Sequence, residues 1–438
     1  MPDSPVHVAI VGMGTVGSGV ARVLLEHPER IARRAGRPVR LKWAVVRDVE
    51  KPRGVDVPVG VLTTDVSQVV NDRDVQVAIH LIGGLHPARE IMLDLLDSGK
   101  DVVTANKALL CEHGDELFAK AKSLGRTIAF EAAVAGGIPI IAAVGQCMAA
   151  NQITAISAIL NGTTNYILTQ MIRENRTYAE ALRSAQQLGY AEADPTLDAD
   201  GSDAAQKLVV LTQLAFGMKV PLDAFPRRGI DRLELADVRY ATELGYTVKL
   251  LAVSRLIRGQ LEMHVQPTLV RHHTPLAEVH GAFNAISLTG DVVGETWYSG
   301  SGAGQLPTAS AVLGDLIDTV VGRARITFQH LELWNETPPF TLQPNEKVIS
   351  RYYLRFHVED RPGVLADITA ALGRNQISIA SVIQHEATEP ASPGNGSAIV
   401  PLVIMTHRTT KGQVQAAENE LRSVAAVKQP SVRMPVAD

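Results

Sequence analysis

Residues 190 to 217 read YAEADPTLDADGSDAAQKLVVLTQLAFG, an acidic loop running into an apolar stretch patterned as a helix. At about 100° per residue, Asp203, Lys207, Val210, Leu211 and Leu214 share one stripe and Thr212 points the opposite way. An exposed Asp–Lys pair at this spacing would add only ~0.3–0.5 kcal/mol. An ion pair facing a dry core costs more in desolvation than it returns. A cleft holding a polar substrate resolves the conflict. There a lysine can stabilise a developing alkoxide and deliver a proton to it. Lys107, in Thr104-Ala105-Asn106-Lys107, is a candidate for a cofactor or substrate site; at another place in a fold it would read as a surface lysine at a helix start.

These residues need a framework, and 438 residues are enough for two or three domains. The 46% hydrophobic and 20% charged content is that of a globular chain. A formal charge of −4 and a pI near 6.4 give no attraction to nucleic acid or anionic membranes. Two cysteines, Cys111 and Cys147, fit a reducing cytoplasm and have no metal-type or redox-type spacing. The N-terminus lacks the layout of a signal peptide. The apolar run 128–150 is broken by Glu131, Gly136-Gly137-Ile138-Pro139 and Gln146 into pieces too short to span a bilayer.

Residues 6–11, VHVAIV, lead into Gly12-Met13-Gly14-Thr15-Val16-Gly17 and the helical pattern SGVARVLLEH. Strand, G-x-G-x-x-G turn and helix in that order form the dinucleotide fingerprint: glycines let the backbone approach a pyrophosphate, and the helix N-terminus stabilises it. A second strand, VRLKWAVV, ends at Arg47-Asp48. A basic residue there suits the 2′-phosphate of NADP and an acid suits NAD. Arg47 comes first, so NADP is expected with NAD open, while Lys51 and Arg53 read equally well as a solvated turn. Further strands at 75–84, 101–110 and 127–141, separated by helical stretches, predict a Rossmann-type doubly wound parallel sheet. Its ligands sit beyond the strand ends, where Gly83-Gly84 and Thr104 to Lys107 fall.

From 151 onward the pattern predicts an α+β domain of mixed sheet and helices for substrate contacts and subunit pairing. YSGSGAGQLPTASAVLGDLIDTVVGRA adds a second glycine loop and a helix with Pro307 in its first turn, which would close back on the first domain. The expected division is 1–150 for the dinucleotide domain, completed by 300–325; 151–300 for catalysis and dimerisation; a linker at 326–347; and 348–438, whose βαββαβ order is ferredoxin-like.

GMGTVG at 12–17, TANK at 104–107, GYAEADPTLDADGSDAAQK at 189–207 and GSGAGQLPTASAV at 300–312 together resemble homoserine dehydrogenase. VEDRPGVLADITAAL followed by NQISIASV resembles the ACT domain, an amino-acid-binding regulatory module. The resemblance implies reversible, NAD(P)-dependent interconversion of L-aspartate 4-semialdehyde and L-homoserine in threonine and methionine biosynthesis, in a cytoplasmic homodimer or homotetramer. It implies Glu192 and Asp203 as substrate contacts, with Lys207 the proton donor and Lys107 beside the reacting centre; of the remaining loop acids Asp194, Asp198 and Asp200, Asp198 is the one expected to be functional, as a further substrate contact. Gly12 to Gly17, Arg47, Gly83, Thr104, Lys107, Gly189 and Gly304 would touch the cofactor. Glu131, Val134, Gly136 and Ile138 would hold a monovalent cation such as sodium, largely by backbone carbonyls. L-threonine is the effector it implies for the ACT module, against the alternative that this module only dimerises. His80 stands where an acid is expected of the family.

Two rivals remain at this point. Another semialdehyde dehydrogenase would need a cysteine nucleophile with a base nearby, and Cys111 and Cys147 lie on apolar segments without one. A catalytically inactive amino-acid sensor would not need Glu192, Asp203 and Lys207 together.

Overall fold

The computed structural model describes residues 4–331, 333, 338–385 and 398–437. The chain forms two compact units. The first contains Met1–Ile156, Ala205–Ala224 and Asn284–Phe340; the second contains Ser157–Ala204, Phe225–Phe283 and Thr341–Asp438.

Six strands build the first unit's sheet: β1 (Val6–Val11), β2 (Val39–Val45), β3 (Leu62–Thr63), β4 (Val75–His80), β5 (Asp101–Thr104) and β6 (Ile128–Ala129). They lie in the order β3-β2-β1-β4-β5-β6, all parallel, as in a dinucleotide-binding fold. Val8, Ile10, Val77, Ile79 and Val103 form one core with Val20, Ala21 and Leu24 of the helix Thr15–Glu26. Ala309, Val312, Leu313 and Leu316 of the helix Gln305–Val321 enter the same core. The two helices touch closely because Gly19 has no side chain; a Cβ there would lie 2.7 Å from Gln305 Cγ.

Three expected strands are shorter, the run 75–84 ending at His80. The run 101–110 stops as strand at Thr104, and the helix Lys107–Ser123 begins with Asn106 as its cap. The run 127–141 pairs only over Ile128–Ala129 and then turns. Its later N–H groups bond elsewhere: Gly136 and Gly137 each donate at 2.9 Å to the carbonyls of Gly302 and Ser301. A Cβ on Gly137 would sit 2.4 Å from Ser301 O, so this approach requires glycine.

In the second unit the hairpin Tyr246–Ile257/Gln260–Arg271 pairs antiparallel. The C-terminal module places its strands in the order Val427–Ala437, Tyr352–Glu359, Ile399–Thr406, Ile379–Gln384, all antiparallel, with the helices Val364–Arg374 and Lys411–Leu421 packed on a core that includes Leu354, Phe356, Ile368 and Leu402. This is the ferredoxin-like arrangement. Val436 and Ala437 continue into parallel pairing with Leu269 and Val270, joining the module to the hairpin. The segment expected as a linker starts inside a helix, Arg323–His330, anchored by buried Phe328. The polar loop read at 386–397 lies outside the described residues. No helix among the described residues is long and apolar enough to cross a membrane.

Candidate active site

The fingerprint turn runs from the end of β1 to the helix Thr15–Glu26. Gly12 has φ +102°, a left-handed conformation that favours glycine. A Cβ on Gly17 would fall 2.1 Å from Gly12 O, while Gly14 has open space beside its Cα. Met13 is buried, its carbonyl accepting from Ser18 Oγ at 3.4 Å, and the carbonyl of exposed Thr15 accepts from Gln305 Nε2 at 3.0 Å. Val16 packs against the core. The tight turn and the bare helix start fit a pyrophosphate. Gly17→Ala is expected to cost about 1–3 kcal/mol by overpacking and to weaken nicotinamide-cofactor binding in a fluorescence titration; unchanged affinity would mean the turn is not the cradle.

At the end of β2, Arg47 is exposed. Arg53 donates to the carbonyls of Lys51 and Asp48, so it serves the turn itself.

At the ends of β4 and β5, Asn106 is the organiser. Its Oδ1 accepts from Leu109 N at 3.0 Å, and its Nδ2 donates to Ile82 O at 3.0 Å and Gly84 O at 2.7 Å. One side chain thus caps the helix of Lys107 and holds the Gly83-Gly84 turn, where Gly84 takes φ +78°. Lys107 is half-buried at the first helical position. His80 is fully buried; Nε2 shares a 3.1 Å bond with Ala88 O and Nδ1 a 3.4 Å bond with Thr104 Oγ1, which itself donates to His80 O at 3.1 Å. Burial pushes the imidazole down to about 4, keeping it neutral. A neutral hydrogen-bonding ring therefore does the positioning at a place where an acid was expected.

The acidic loop and the first residues of the helix Ser202–Phe216 belong to the second unit. Asn161, cap of the helix Gly162–Arg173, donates from Nδ2 to Asp198 at 2.7 Å and to Asp203 at 3.0 Å, while its Oδ1 accepts from Thr164 N at 2.8 Å. Two of the candidate acids are thereby brought together. Asp194 and Asp200 serve their own turns: each accepts from the backbone N–H two residues on, Thr196 at 3.1 Å and Ser202 at 2.8 Å. Glu192 is exposed, and its carbonyl accepts from Gln186 Nε2 at 3.2 Å. Gly189, φ +75°, closes the helix Tyr178–Gln187, and Gly304, φ +113°, opens the helix Gln305–Val321. Asn161 was missed in the sequence; its signal was Asn-Gly directly after a strand, where a cap belongs.

Lys207 is buried, at 9% exposure, on a helix that is not one-faced. Thr212 is fully buried and Leu214 only partly, so the apolar stripe drawn from the sequence is not the helix's single inward side.

Around the first unit's 136–139 turn lies a cavity of about 630 Å³. The Glu131 carboxylate accepts from Ile141 N at 2.8 Å and Ala142 N at 2.9 Å, and burial pushes its pKa up. Glu131 N donates at 2.8 Å to Asp315, whose carboxyl is pushed well above its ordinary range by burial and by the Glu131 charge. Val134 and Ile138 are buried, and Ile138 lines the cavity. Because the carboxylate is engaged with N–H groups, a cation here would depend on backbone carbonyls; among the described residues no cluster of three or more His, Cys, Asp or Glu could hold a metal ion.

The family description "Homoserine dehydrogenase" matches residues 139–317, "Homoserine dehydrogenase, NAD binding domain" matches 12–131, and "ACT domain" matches 352–426. A homoserine dehydrogenase of Pseudomonas aeruginosa is 42% identical, with 99% of each chain covered. One of Bacillus subtilis is 38% identical over 97% of this chain and 96% of its own length. The crystal structure of a homoserine dehydrogenase from Thiobacillus denitrificans has a TM-score of 0.90 at 41% identity, covering 99% of both chains. A hyperthermophilic archaeal homoserine dehydrogenase mutant, solved in complex with NADPH, has a TM-score of 0.61 at 27% identity over 72% of this chain. The chain therefore belongs to the homoserine dehydrogenases, NAD(P)-dependent oxidoreductases, and carries a C-terminal ACT domain.

Proposed function

We propose that Lys207 is the proton donor in the interconversion of L-aspartate 4-semialdehyde and L-homoserine. When bound, the nicotinamide cofactor supplies or accepts the hydride. Adding hydride to the aldehyde leaves an alkoxide, and Lys207 stabilises that charge and gives its Nζ proton to the oxygen. Asp203 and Glu192 receive the polar ends of the substrate. Asn161 holds Asp203 in place and also binds Asp198, a further substrate contact, and Lys107 is the second polarising group. The observation that carries this reading is the Asn161 clasp on Asp198 and Asp203: a buried amide spends both donors on carboxylates, one in the acidic loop and one in the first turn of the helix that carries Lys207.

The dinucleotide portion is 1–150 with 300–325, catalysis and pairing belong to 151–300, and regulation belongs to 348–438, with the connection to it following the helix Arg323–His330. Arg47, exposed where a 2′-phosphate would lie, favours NADP over NAD, in keeping with the NADPH complex of the archaeal relative. Gly12 to Gly17, Gly83, Thr104, Gly189 and Gly304 complete the cofactor contacts. A monovalent cation is held by the carbonyls of Glu131, Val134, Gly136 and Ile138. L-threonine is the effector, and the enzyme works in the cytoplasm as a homodimer or homotetramer.

Homoserine-dependent reduction of NADP and of NAD, each with and without threonine and with and without sodium, tests the set. No rate with either cofactor would leave an amino-acid sensor as the better description. Asn161→Asp keeps the helix cap but removes the donor. It is expected to lower kcat/KM roughly 10- to 150-fold, the equivalent of a hydrogen bond to a charged group; an unchanged value would reduce Asn161 to a capping residue.

A further inference from the structure

Residues 300–304, Gly-Ser-Gly-Ala-Gly, end the strand Gly294–Ser301 and open the helix Gln305–Val321. This glycine loop is tied down on two sides. The carbonyls of Ser301 and Gly302 accept from Gly137 and Gly136, and Gln305 Nε2 donates to Thr15 O at the start of the fingerprint helix. Against the loop lies Asn284, in the strand Phe283–Gly290, only 1% exposed. Its backbone is held, with the carbonyl accepting from Ser299 Oγ at 3.2 Å. A Cβ on Gly302 would fall 2.1 Å from Asn284 Cγ, so the carboxamide rests directly on the glycine.

Burying an amide is costly unless both of its ends are hydrogen-bonded. Two other buried asparagines follow that rule. Asn106 uses its amide on Ile82, Gly84 and Leu109. Asn165 gives Nδ2 to the carbonyls of Val279, Gly281 and Phe283, and its Oδ1 accepts from Lys249 Nζ at 3.1 Å. Asn284 departs from it. Its Nδ2 and Oδ1 are both buried, and neither has a hydrogen-bond partner among the described residues. An apolar side chain of the same shape would fill this space without that cost. The carboxamide therefore does something for the protein other than stabilise this arrangement of the loop.

The loop above it is able to move: three of its five residues are glycines, and Ser301, Ala303 and Gly304 are exposed. We propose that Asn284 is a positioning residue for cofactor binding: with the nicotinamide cofactor bound at Gly304, the glycine loop settles onto the carboxamide, which then bonds the backbone of Gly302 and Ala303 through both Nδ2 and Oδ1. The inference rests on the reading of Gly304 as a cofactor contact. It gives the unpaired amide a use. Bonds that are unmade in one arrangement of the loop and made in the other add their free energy to cofactor binding, because a ligand shifts an equilibrium only by its differential affinity for the two states. It also gives Gly302 a reason to be glycine, since any side chain there would hold the loop off the amide.

The test compares the full wild-type chain with Asn284→Leu and Asn284→Ala in three measurements: urea unfolding without cofactor, fluorescence titration with NADPH or NADH, whichever the wild type binds more tightly, and hydrogen exchange of the 300–304 segment with and without that cofactor. Asn284→Leu is expected to unfold at the same or a higher urea midpoint, to bind the cofactor about 5- to 150-fold more weakly, and to lose the slowing of exchange that the cofactor causes at 300–304 in the wild type. Asn284→Ala, which adds no volume, is expected to bind as weakly and keeps the test open should leucine prevent folding. A lower midpoint with unchanged affinity in both variants would make Asn284 a structural residue and overturn the proposal. Slowed exchange at 300–304 in the wild type with unchanged affinity in both variants would remove Asn284 and leave Gly304 as a cofactor contact. Exchange at 300–304 that the cofactor does not alter in the wild type would overturn the contact at Gly304 and this inference with it.

Discussion

Lys207→Ala is expected to fold and bind NADPH yet to oxidise homoserine roughly 10²- to 10⁴-fold more slowly, the usual contribution of a positioned general acid or base. Alanine is the best helix former, and position 207 is inside the helix Ser202–Phe216, flanked by buried Ala204, Ala205, Leu208 and Val209. The substitution should therefore leave the helix intact and remove the amine. Cofactor binding followed by fluorescence separates the two effects, because the cradle at Gly12 to Gly17 is built from other elements. Lys107→Ala gives the comparison that assigns the proton. If Lys207 delivers it, Lys207→Ala lowers kcat far more than Lys107→Ala does. Near-normal turnover in Lys207→Ala would remove it as the donor.

Lys207 also marks how far a sequence can be read. The dinucleotide turn was legible because steric exclusion at Gly12 and Gly17 leaves glycine as the residue that fits, and strict strand-turn-helix spacing makes that exclusion visible in one dimension. The ferredoxin-like module was legible for a similar reason: each strand and helix carries its own period. The helix of Lys207 was less so. Periodicity reports one preferred face, but Thr212 and Val210 are both buried, so the helix is enclosed on more sides than a stripe describes. The run 127–141 misled for a related reason. Its apolar residues are those of a strand, but Gly136 and Gly137 direct their N–H groups to Gly302 and Ser301 respectively, about 165 residues away in the chain, partners no local pattern reveals. Asn161 escaped because a cap that also holds two carboxylates looks in sequence like any Asn-Gly turn. The aspartates it sorts, Asp198 and Asp203 from Asp194 and Asp200, differ only in where the chain folds back.

Asp237→Ala is expected to cost about 3–5 kcal/mol of stability, the penalty for leaving a buried charge without its partner. Asp237 and Arg355 are each fully buried. Arg355 Nε meets Asp237 Oδ1 at 2.7 Å and Nη2 meets Oδ2 at 3.1 Å, a two-pronged pair that fixes the strand Tyr352–Glu359 to the helix Leu235–Glu243. The same carboxylate accepts from Tyr353 Oη at 3.1 Å and from Glu234 N at 2.9 Å, so every oxygen is committed. Alanine removes four acceptor contacts at once and leaves the guanidinium with Glu234, at 3.0 Å, and the His357 ring. Urea unfolding should show the midpoint falling, with the C-terminal module losing its structure first. Asp237→Leu combined with Arg355→Met should recover most of the loss, because an apolar pair of similar volume leaves no buried charge. If Asp237→Ala alone costs under about 1 kcal/mol, the pair is better solvated than its burial indicates. If the double variant is no more stable than the single one, the pair contributes geometry that apolar side chains cannot supply, and the module's seat on the helix depends on the ion pair itself.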